Sequence, residues 1–206
     1  MHTLKKTIFT AAFFSCLFAS KAQNEQTLQK AFSESYTQEY NRKYGDAISV
    51  LSVVYKEDSY ELNLRLGWLT YMNKNYTLSQ SYYQKAVNLK PYSIEAKLGM
   101  VKPLAALESY DKVLSTYEDI LKIDGQNYTA LYWTGIMMYN RKKYENAIKY
   151  FEKLINMYPF DYDSNHMLAW SYLNQGRSND AKIIFNKALL IRPGDASCLD
   201  GLSKLK

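Results

Sequence analysis

The apolar and polar positions of the chain repeat every 34 residues from about residue 60 onward. Six positions of the period keep their character through four copies, and small, aromatic, apolar and helix-breaking residues each have their own place. In order, these columns are Gly67, Val101, Gly135 and Ala169; Tyr76, Tyr110, Tyr144 and Ser178; Ser79, Val113, Ala147 and Ala181; Tyr83, Tyr117, Phe151 and Phe185; Ala86, Ile120, Leu154 and Ala188; and Pro91, Gly125, Pro159 and Pro193. A fixed period of this length is typical of a repeat architecture.

Each column has a physical role in a pair of antiparallel helices. The third, fourth and fifth columns are four and then three residues apart, so they share one helical face. The small first column marks a close helix crossing, and the breaker ends the second helix. We therefore predict helix pairs at 28–40 and 44–57, 61–73 and 76–90, 95–107 and 110–122, 128–140 and 144–157, and 162–174 and 178–191. A half-helix with Asp195 as its N-cap follows, from 196 to about 204.

Two departures from the period carry predictions of their own. Pro103 falls inside the first helix of its copy, where it removes a hydrogen bond and crowds the carbonyl of Gly99. We expect a kink or an early break in that helix. A fainter first copy, which includes Tyr44, precedes the second by 32 residues, and we expect a shortened turn around Asp58 and Ser59.

The columns resemble the tetratricopeptide repeat, in which a small residue of the first helix is followed by A-x3-F and then P. Two copies match this pattern fully: Ala147, Phe151 and Pro159; and Ala181, Phe185 and Pro193. The resemblance implies an all-α fold, a right-handed α-solenoid of about five helix-turn-helix repeats. The repeats would cover 28–195 (28–59, 60–93, 94–127, 128–161 and 162–195), after a short N-terminal segment at 23–27 and before a capping helix at 196–206.

The first 22 residues differ in character from the rest of the chain. Lys5 and Lys6 precede an uncharged apolar run over 8–19, and Ser20 and Ala22 place small residues before a cleavage point. This order predicts a secretory signal peptide over 1–22. The run is shorter than the roughly 20 apolar residues that span a bilayer, although an uncleaved anchor remains an alternative. We expect an exported protein, periplasmic or extracellular in a bacterial envelope, with no transmembrane segment in the mature chain and peripheral membrane association possible.

Charge and cysteine content change once that segment is removed. The segment holds three lysines, so 26 basic residues become 23 against 20 acidic ones. No concentrated basic run remains, which argues against a nucleic-acid partner. Cys198 is then the single cysteine, so an internal disulfide is excluded and a buried thiol is expected.

The resemblance also implies where a partner would bind, because the first helices of such repeats line a concave groove. The matching positions are largely aromatic and include all three tryptophans. They are Phe32, Tyr36, Tyr40, Leu64, Arg65, Trp68, Tyr71, Lys102, Tyr132, Trp133, Tyr139, His166 and Trp170. The alternative is that these rings only pack between neighbouring first helices. The Lys and Asn clamp with which some family members hold a C-terminal carboxylate is absent here.

Catalysis has little support in the sequence. His166 has no second histidine or nearby cysteine for a metal, and no nucleophile, phosphate-loop or metalloprotease motif is present. We expect no enzyme activity, no cofactor and no metal. The leading hypothesis is a protein–protein interaction scaffold that holds a peptide or protein partner in an envelope assembly or secretion complex. The alternative is a glycan-binding module of a polysaccharide export system, because aromatic rings also stack on sugars.

Overall fold

The computed structural model describes residues 25–205, and every regular element in that range is an α-helix. The helices are α1 (25–40), α2 (Tyr44–Val53), α3 (Tyr60–Met72), α4 (Tyr76–Leu89), α5 (Ile94–Ala106), α6 (Tyr110–Ile123), α7 (Tyr128–Asn140), α8 (Tyr144–Met157), α9 (Tyr162–Asn174), α10 (Ser178–Ile191) and α11 (Ala196–Ser203). The all-α helical-repeat fold is thus confirmed, and each of the helices α2 to α11 begins within one residue of its predicted start. None of the helices within 25–205 has the length and apolar character that a membrane span requires. The predicted signal peptide lies outside the described residues.

The chain forms two compact units, with the boundary between Leu107 and Glu108. Unit one holds α1 to α5, and unit two holds α6 to α11. In unit one, helices α3 and α4 pack as a pair. Helices α1, α2 and α3 bury a core of apolar side chains: Ala31, Ala47, Leu51, Leu62, Leu66 and Leu69. In unit two, the pairs α7–α8 and α9–α10 bury a second core, in which Phe151 and Phe185 are fully enclosed.

Side-chain caps explain where the first helices of the repeats begin. At α3, α5, α7, α9 and α11 the residue before the helix accepts a hydrogen bond from the backbone N–H three residues later. These caps are Ser59, Ser93, Asn127, Asp161 and Asp195. Each satisfies an amide that the helix itself leaves unpaired. Asp195 therefore has the capping role predicted for it.

Close helix crossings occur where the repeat has its small residues. A side chain added at Gly67 or Gly135 would meet the ring of Tyr83 or Phe151 at 2.9 and 2.8 Å, respectively. The small first column of the period therefore makes room for the aromatic fourth column of the same repeat, as predicted. Gly99 plays a related part between repeats, because a Cβ there would lie 2.2 Å from Tyr83 Cε1.

Of the two outcomes predicted for Pro103, a kink or an early break of the helix, the early break was wrong. Helix α5 runs without interruption from Ile94 to Ala106, with Pro103 inside it. Only three helical residues follow the proline, and the carbonyl of Pro103 still accepts a hydrogen bond from the N–H of Leu107 at 2.9 Å. Gly99, four residues before the proline, gives space to Tyr83.

The predicted short turn around Asp58 and Ser59 was also wrong. The turn over 54–59 has six residues, against four at 90–93, and the missing residues come from α2, which has 10 residues where α4 has 14. The chain leaves α2 early and Tyr55 packs edge-on against Tyr82, with ring centroids 5.6 Å apart. Asn63 then holds the turn, since its side-chain amide donates to the carbonyls of Glu57 and Ser59 at 2.8 and 2.7 Å.

Candidate ligand-binding faces of the two units

A cavity of about 800 Å³ lies in unit one, on the side formed by the first helices. Its walls come from α1, α3 and α5, and Tyr83 of α4 contributes from below. The lining residues are Phe32, Tyr36, Tyr60, Glu61, Leu64, Arg65, Trp68, Tyr83, Ile94, Glu95, Leu98, Gly99 and Lys102. Six of the residues predicted from the sequence are in this set: Phe32, Tyr36, Leu64, Arg65, Trp68 and Lys102.

The wall between α1 and α3 is built on a buried arginine. Arg65 is only 8% exposed, and its guanidinium pairs with Glu39 at 2.5 Å and donates to Ser35 Oγ at 3.2 Å. The Arg65 Cζ lies 3.8 Å from the centroid of the Tyr36 ring, and the Trp68 indole N–H donates to the other carboxylate oxygen of Glu39. These contacts fix the orientation of both rings before any ligand arrives.

The opposite rim of the cavity carries charges of both signs. The Tyr60 hydroxyl lies 2.7 Å from Ser93 Oγ and donates to Glu95 at 3.3 Å, and desolvation by burial raises the pKa of Tyr60 above its usual value. Lys102 lies on α5 with its Nζ 5.9 Å from the Trp68 ring, and no carboxylate of residues 25–205 lies within salt-bridge distance of it. The rim therefore offers an acceptor at Glu95 and an exposed donor at Lys102.

Two predicted residues of unit one do not line the cavity. Tyr40 is 90% exposed at the end of α1. Tyr71 packs between Trp68 and Tyr76, with ring centroids 6.0 and 5.6 Å apart. For Tyr71 the packing alternative therefore describes the geometry better than the groove prediction.

In unit two, too, some of the predicted aromatic residues are exposed and others are packed against neighbouring side chains. Trp133 is 47% exposed and meets the Tyr132 ring edge-on at 5.6 Å. Tyr139 is partly buried, and its hydroxyl accepts a hydrogen bond from the Asn174 amide at 3.0 Å. Trp170 packs edge-on against Phe185 at 5.4 Å. Of these rings, Trp133 is the one that most clearly offers its surface to a ligand.

His166 belongs to a polar cluster where α9 meets α11. Its Nε2 lies 2.8 Å from Ser197 Oγ and accepts from the Trp170 indole N–H at 3.1 Å. Burial lowers the pKa of His166, which favours the neutral ring. One ligand atom from each of His166, Asp195 and Cys198 lies within 4.8 Å of the other two.

Cys198 is fully buried, as expected from its sequence context. Its backbone N–H donates to Asp195 Oδ1 at 2.9 Å, which caps α11 and contributes most to a lowered pKa of Asp195. Burial raises the pKa of the Cys198 thiol to about 11. The expectation that His166 has no cysteine beside it was therefore wrong, because the fold brings together residues 32 positions apart.

Several residues of the cavity escaped sequence reasoning. Glu39 orients both Arg65 and Trp68, yet it occupies an unremarkable polar position of α1. Tyr60 opens α3, Glu95 is the second residue of α5, and both line the rim. The period itself could have indicated Tyr60, since Tyr128 and Tyr162 open later first helices at the same position.

Comparison with known proteins identifies the repeat. A family model described as tetratricopeptide repeat matches residues 96–162, and a model described as anaphase-promoting complex, cyclosome, subunit 3 matches residues 140–200. The resemblance to the tetratricopeptide repeat family is thus confirmed. The same fold is seen in a solved tetratricopeptide repeat protein from Parabacteroides merdae, with a TM-score of 0.75 and 18% identity over 87% of this chain and 72% of the other.

Two further solved structures extend this comparison. YrrB, described as a TPR protein with an unusual peptide-binding site, has a TM-score of 0.72 and 13% identity over 90% of this chain and 97% of its own. MamA has a TM-score of 0.72 and 18% identity over 84% and 95% of the two chains. At these identities the likeness extends to the fold alone. A curated relative, Superkiller protein 3 of Schizosaccharomyces pombe, is 28% identical over 123 residues, and the match spans only 9% of its length.

Proposed function

We propose that this tetratricopeptide repeat protein is a non-catalytic interaction scaffold, and that the cavity of unit one binds a peptide segment of a protein partner. The observation that carries the proposal is a preformed aromatic wall in a cavity of about 800 Å³. Pockets of this size that hold apolar rings and a few oriented polar groups are the usual form of a ligand site. The description of YrrB as a peptide-binding protein of the same fold supports the choice of a peptide.

The buried Arg65 explains why this wall is suited to binding. A buried charge without a partner costs several kcal/mol, and here Glu39 pairs with the Arg65 guanidinium and Ser35 accepts a second hydrogen bond from it, while Nε has no partner among the described residues. A ligand therefore meets the faces of Tyr36 and Trp68, already oriented, and loses little entropy in ordering them. Preorganised aromatic rings of this kind dominate binding energy at interfaces.

The rim chemistry defines the segment that would fit. An apolar or aromatic side chain would insert beside Phe32, Leu64 and Leu98. The exposed carboxylate of Glu95 and the ammonium of Lys102 lie on α5 at the edge of the same cavity, where they can pair with polar groups of the peptide. We therefore propose an extended or helical segment with an apolar anchor residue, flanked by a basic residue that pairs with Glu95 and an acidic residue that pairs with Lys102.

The setting of the scaffold is part of the proposal. If residues 1–22 direct export, the partner belongs to an envelope assembly or secretion complex. Detection of the chain in the periplasmic or extracellular fraction, with an N-terminus at Gln23, would support this setting. A full-length chain that stays in the cytoplasm would contradict it, without bearing on the cavity.

A displayed peptide library, selected on the purified chain, tests the cavity directly. Enriched peptides should quench or shift tryptophan fluorescence, and Trp68→Ala should weaken their binding at least about thirtyfold, as expected for a central aromatic anchor. The matched control is Tyr40→Ala, a 90% exposed ring of α1 outside the cavity, which should change affinity less than twofold. No enrichment, equal loss in both variants, or binding only of oligosaccharides would each refute the proposal.

A further inference from the structure

Side chains of three metal-binding types converge at the start of α11. Asp195 caps this helix, Cys198 lies in its first turn, and His166 reaches them from α9. One ligand atom of each lies within 4.8 Å of the other two. All three residues belong to unit two.

The chemistry of the three donors fits one class of ion. An imidazole nitrogen, a thiolate sulfur and a carboxylate oxygen are all ligands that zinc takes, at bond lengths of roughly 2.0–2.3 Å. Tetrahedral geometry with such bonds places the donors about 3.2–3.8 Å apart, and ligand atoms that all lie within 4.8 Å of one another approach that spacing. The cap hydrogen bond of 2.9 Å between Asp195 Oδ1 and the backbone N–H of Cys198 keeps these two residues adjacent. His166 and Asp195 are both partly exposed, so their side chains have room to adjust to an ion.

The preceding repeat shows that capping alone does not require these residue types. There Asp161 caps α9. Its carboxylate accepts a hydrogen bond from the backbone N–H of Ser164 at 2.9 Å and another from the Tyr128 hydroxyl at 2.9 Å. Ser164 occupies the place of Cys198, three residues after the cap, and Tyr132 occupies that of His166, four residues after the opening tyrosine. At the last junction both equivalent positions carry transition-metal ligands, while the capping Asp is unchanged.

The charges around the cluster can accommodate a divalent cation. Asp195 supplies one negative charge, and the thiolate of Cys198 would supply a second when its proton is released to solvent as the metal–sulfur bond forms. Asp163 adds a further negative field near His166, and Arg192, whose guanidinium carbon lies 3.6 Å from the Tyr162 ring centroid, opposes it. In the metal-free chain His166 Nε2 accepts from the Trp170 indole N–H, so Nδ1 carries the ring proton. Binding an ion through Nδ1 would move that proton to Nε2, which could then donate to Ser197 Oγ, while the indole N–H keeps its hydrogen bond to Ser197 Oγ.

We propose that His166, Asp195 and Cys198 form a binding site for a zinc-type divalent ion, with a water molecule in the fourth position. The ion would tie α9 to the capping helix α11 at the end of unit two. A role of this kind is structural, so it is independent of peptide binding by the cavity of unit one.

Cobalt(II) substitution tests the site in the purified chain. Co²⁺ should give a sulfur-to-cobalt charge-transfer band in the near ultraviolet and tetrahedral bands in the visible, and Zn²⁺ should abolish both by displacement. Cys198→Ser should remove the charge-transfer band, and His166→Asn should weaken Co²⁺ binding at least about tenfold. The matched control is Asp161→Asn at the preceding junction, which should leave the spectrum unchanged.

Thermal unfolding provides a second readout that separates folding from binding. Zn²⁺ should raise the melting temperature of the wild-type chain and of Asp161→Asn, but not that of His166→Asn. A circular dichroism spectrum of His166→Asn that matches the wild type will show that this variant is folded. Absence of a charge-transfer band in the folded wild-type chain, or its persistence in Cys198→Ser, would overturn the proposal.

Discussion

Replacement of Gly99 by alanine tests the packing that shapes both the core and the cavity of unit one. A Cβ at this position would lie 2.2 Å from Cε1 and 2.7 Å from Cζ of Tyr83, far inside the roughly 3.5–4.0 Å at which carbon atoms pack well. The ring cannot retreat freely, because it is 3% exposed and Gly67 crowds its other side. Relief therefore requires α5 or Tyr83 to move.

The expected cost follows from two opposing effects. Overpacking a core by one methyl group costs about 1–3 kcal/mol, whereas alanine gains up to about 1 kcal/mol over glycine in a helix. We expect Gly99→Ala to destabilise the protein by about 1–2 kcal/mol. Gly45→Ala in α2 is the matched control, because nothing lies within 4 Å of the added Cβ, and it should stabilise the protein by up to about 1 kcal/mol.

Urea unfolding followed by circular dichroism measures both free energies. Gly99→Ala should be less stable than the wild type and Gly45→Ala more stable, so their free energies of unfolding should differ from each other by about 2 kcal/mol. In Gly99→Ala/Tyr83→Leu the smaller side chain removes the clash, so this double variant should lose less stability than the sum of its single changes. If Gly99→Ala were as stable as Gly45→Ala, or if the double variant were strictly additive, the close packing of Tyr83 against α5 would be refuted.

Two further predictions concern the turns and the tyrosines. Lys142 adopts a left-handed conformation (φ 58°) at the position where the last complete repeat has Gly176. Lys142→Gly should therefore stabilise the protein by about 0.5–1 kcal/mol, and Gly176→Ala should destabilise it by about 1 kcal/mol. Urea unfolding measures both changes. Burial raises the pKa of Tyr117 and Tyr128 to about 12, so between pH 10 and 12 the unfolded chain loses protons that the folded chain keeps. Stability measured by urea unfolding should fall across that window, and the fall should be smaller in Tyr117→Phe and Tyr128→Phe; an equal fall in the wild type and in both variants would contradict this.

Most of the fold could be predicted because each repeat position has a local cause. The repeat position of Gly67 and Gly135 requires a small residue because an aromatic ring of the same repeat packs against the backbone there. Prediction failed where a local rule was applied without its surroundings. The proline rule predicted a kink or an early break at Pro103, but the helix is not broken, because the proline lies close to the helix end, where few hydrogen bonds remain to be lost. The spacing rule predicted a short turn, but packing of Tyr55 on Tyr82 ended α2 early instead.

The candidate sites were predictable only to the extent that they follow the period. Trp68 could be assigned to the inner face from its place in the repeat, whereas Glu39, which orients it, lies 29 residues earlier at a position without any distinctive pattern. His166 and Cys198 are separated by nearly one full repeat, so a search for ligands at short spacing cannot find them. In a stacked array, residues about one period apart become neighbours because adjacent first helices lie side by side. Pairs of chemically reactive side chains separated by roughly one repeat length are therefore the pattern to examine in such sequences, and the cobalt spectrum of this chain decides whether that reasoning identifies a site.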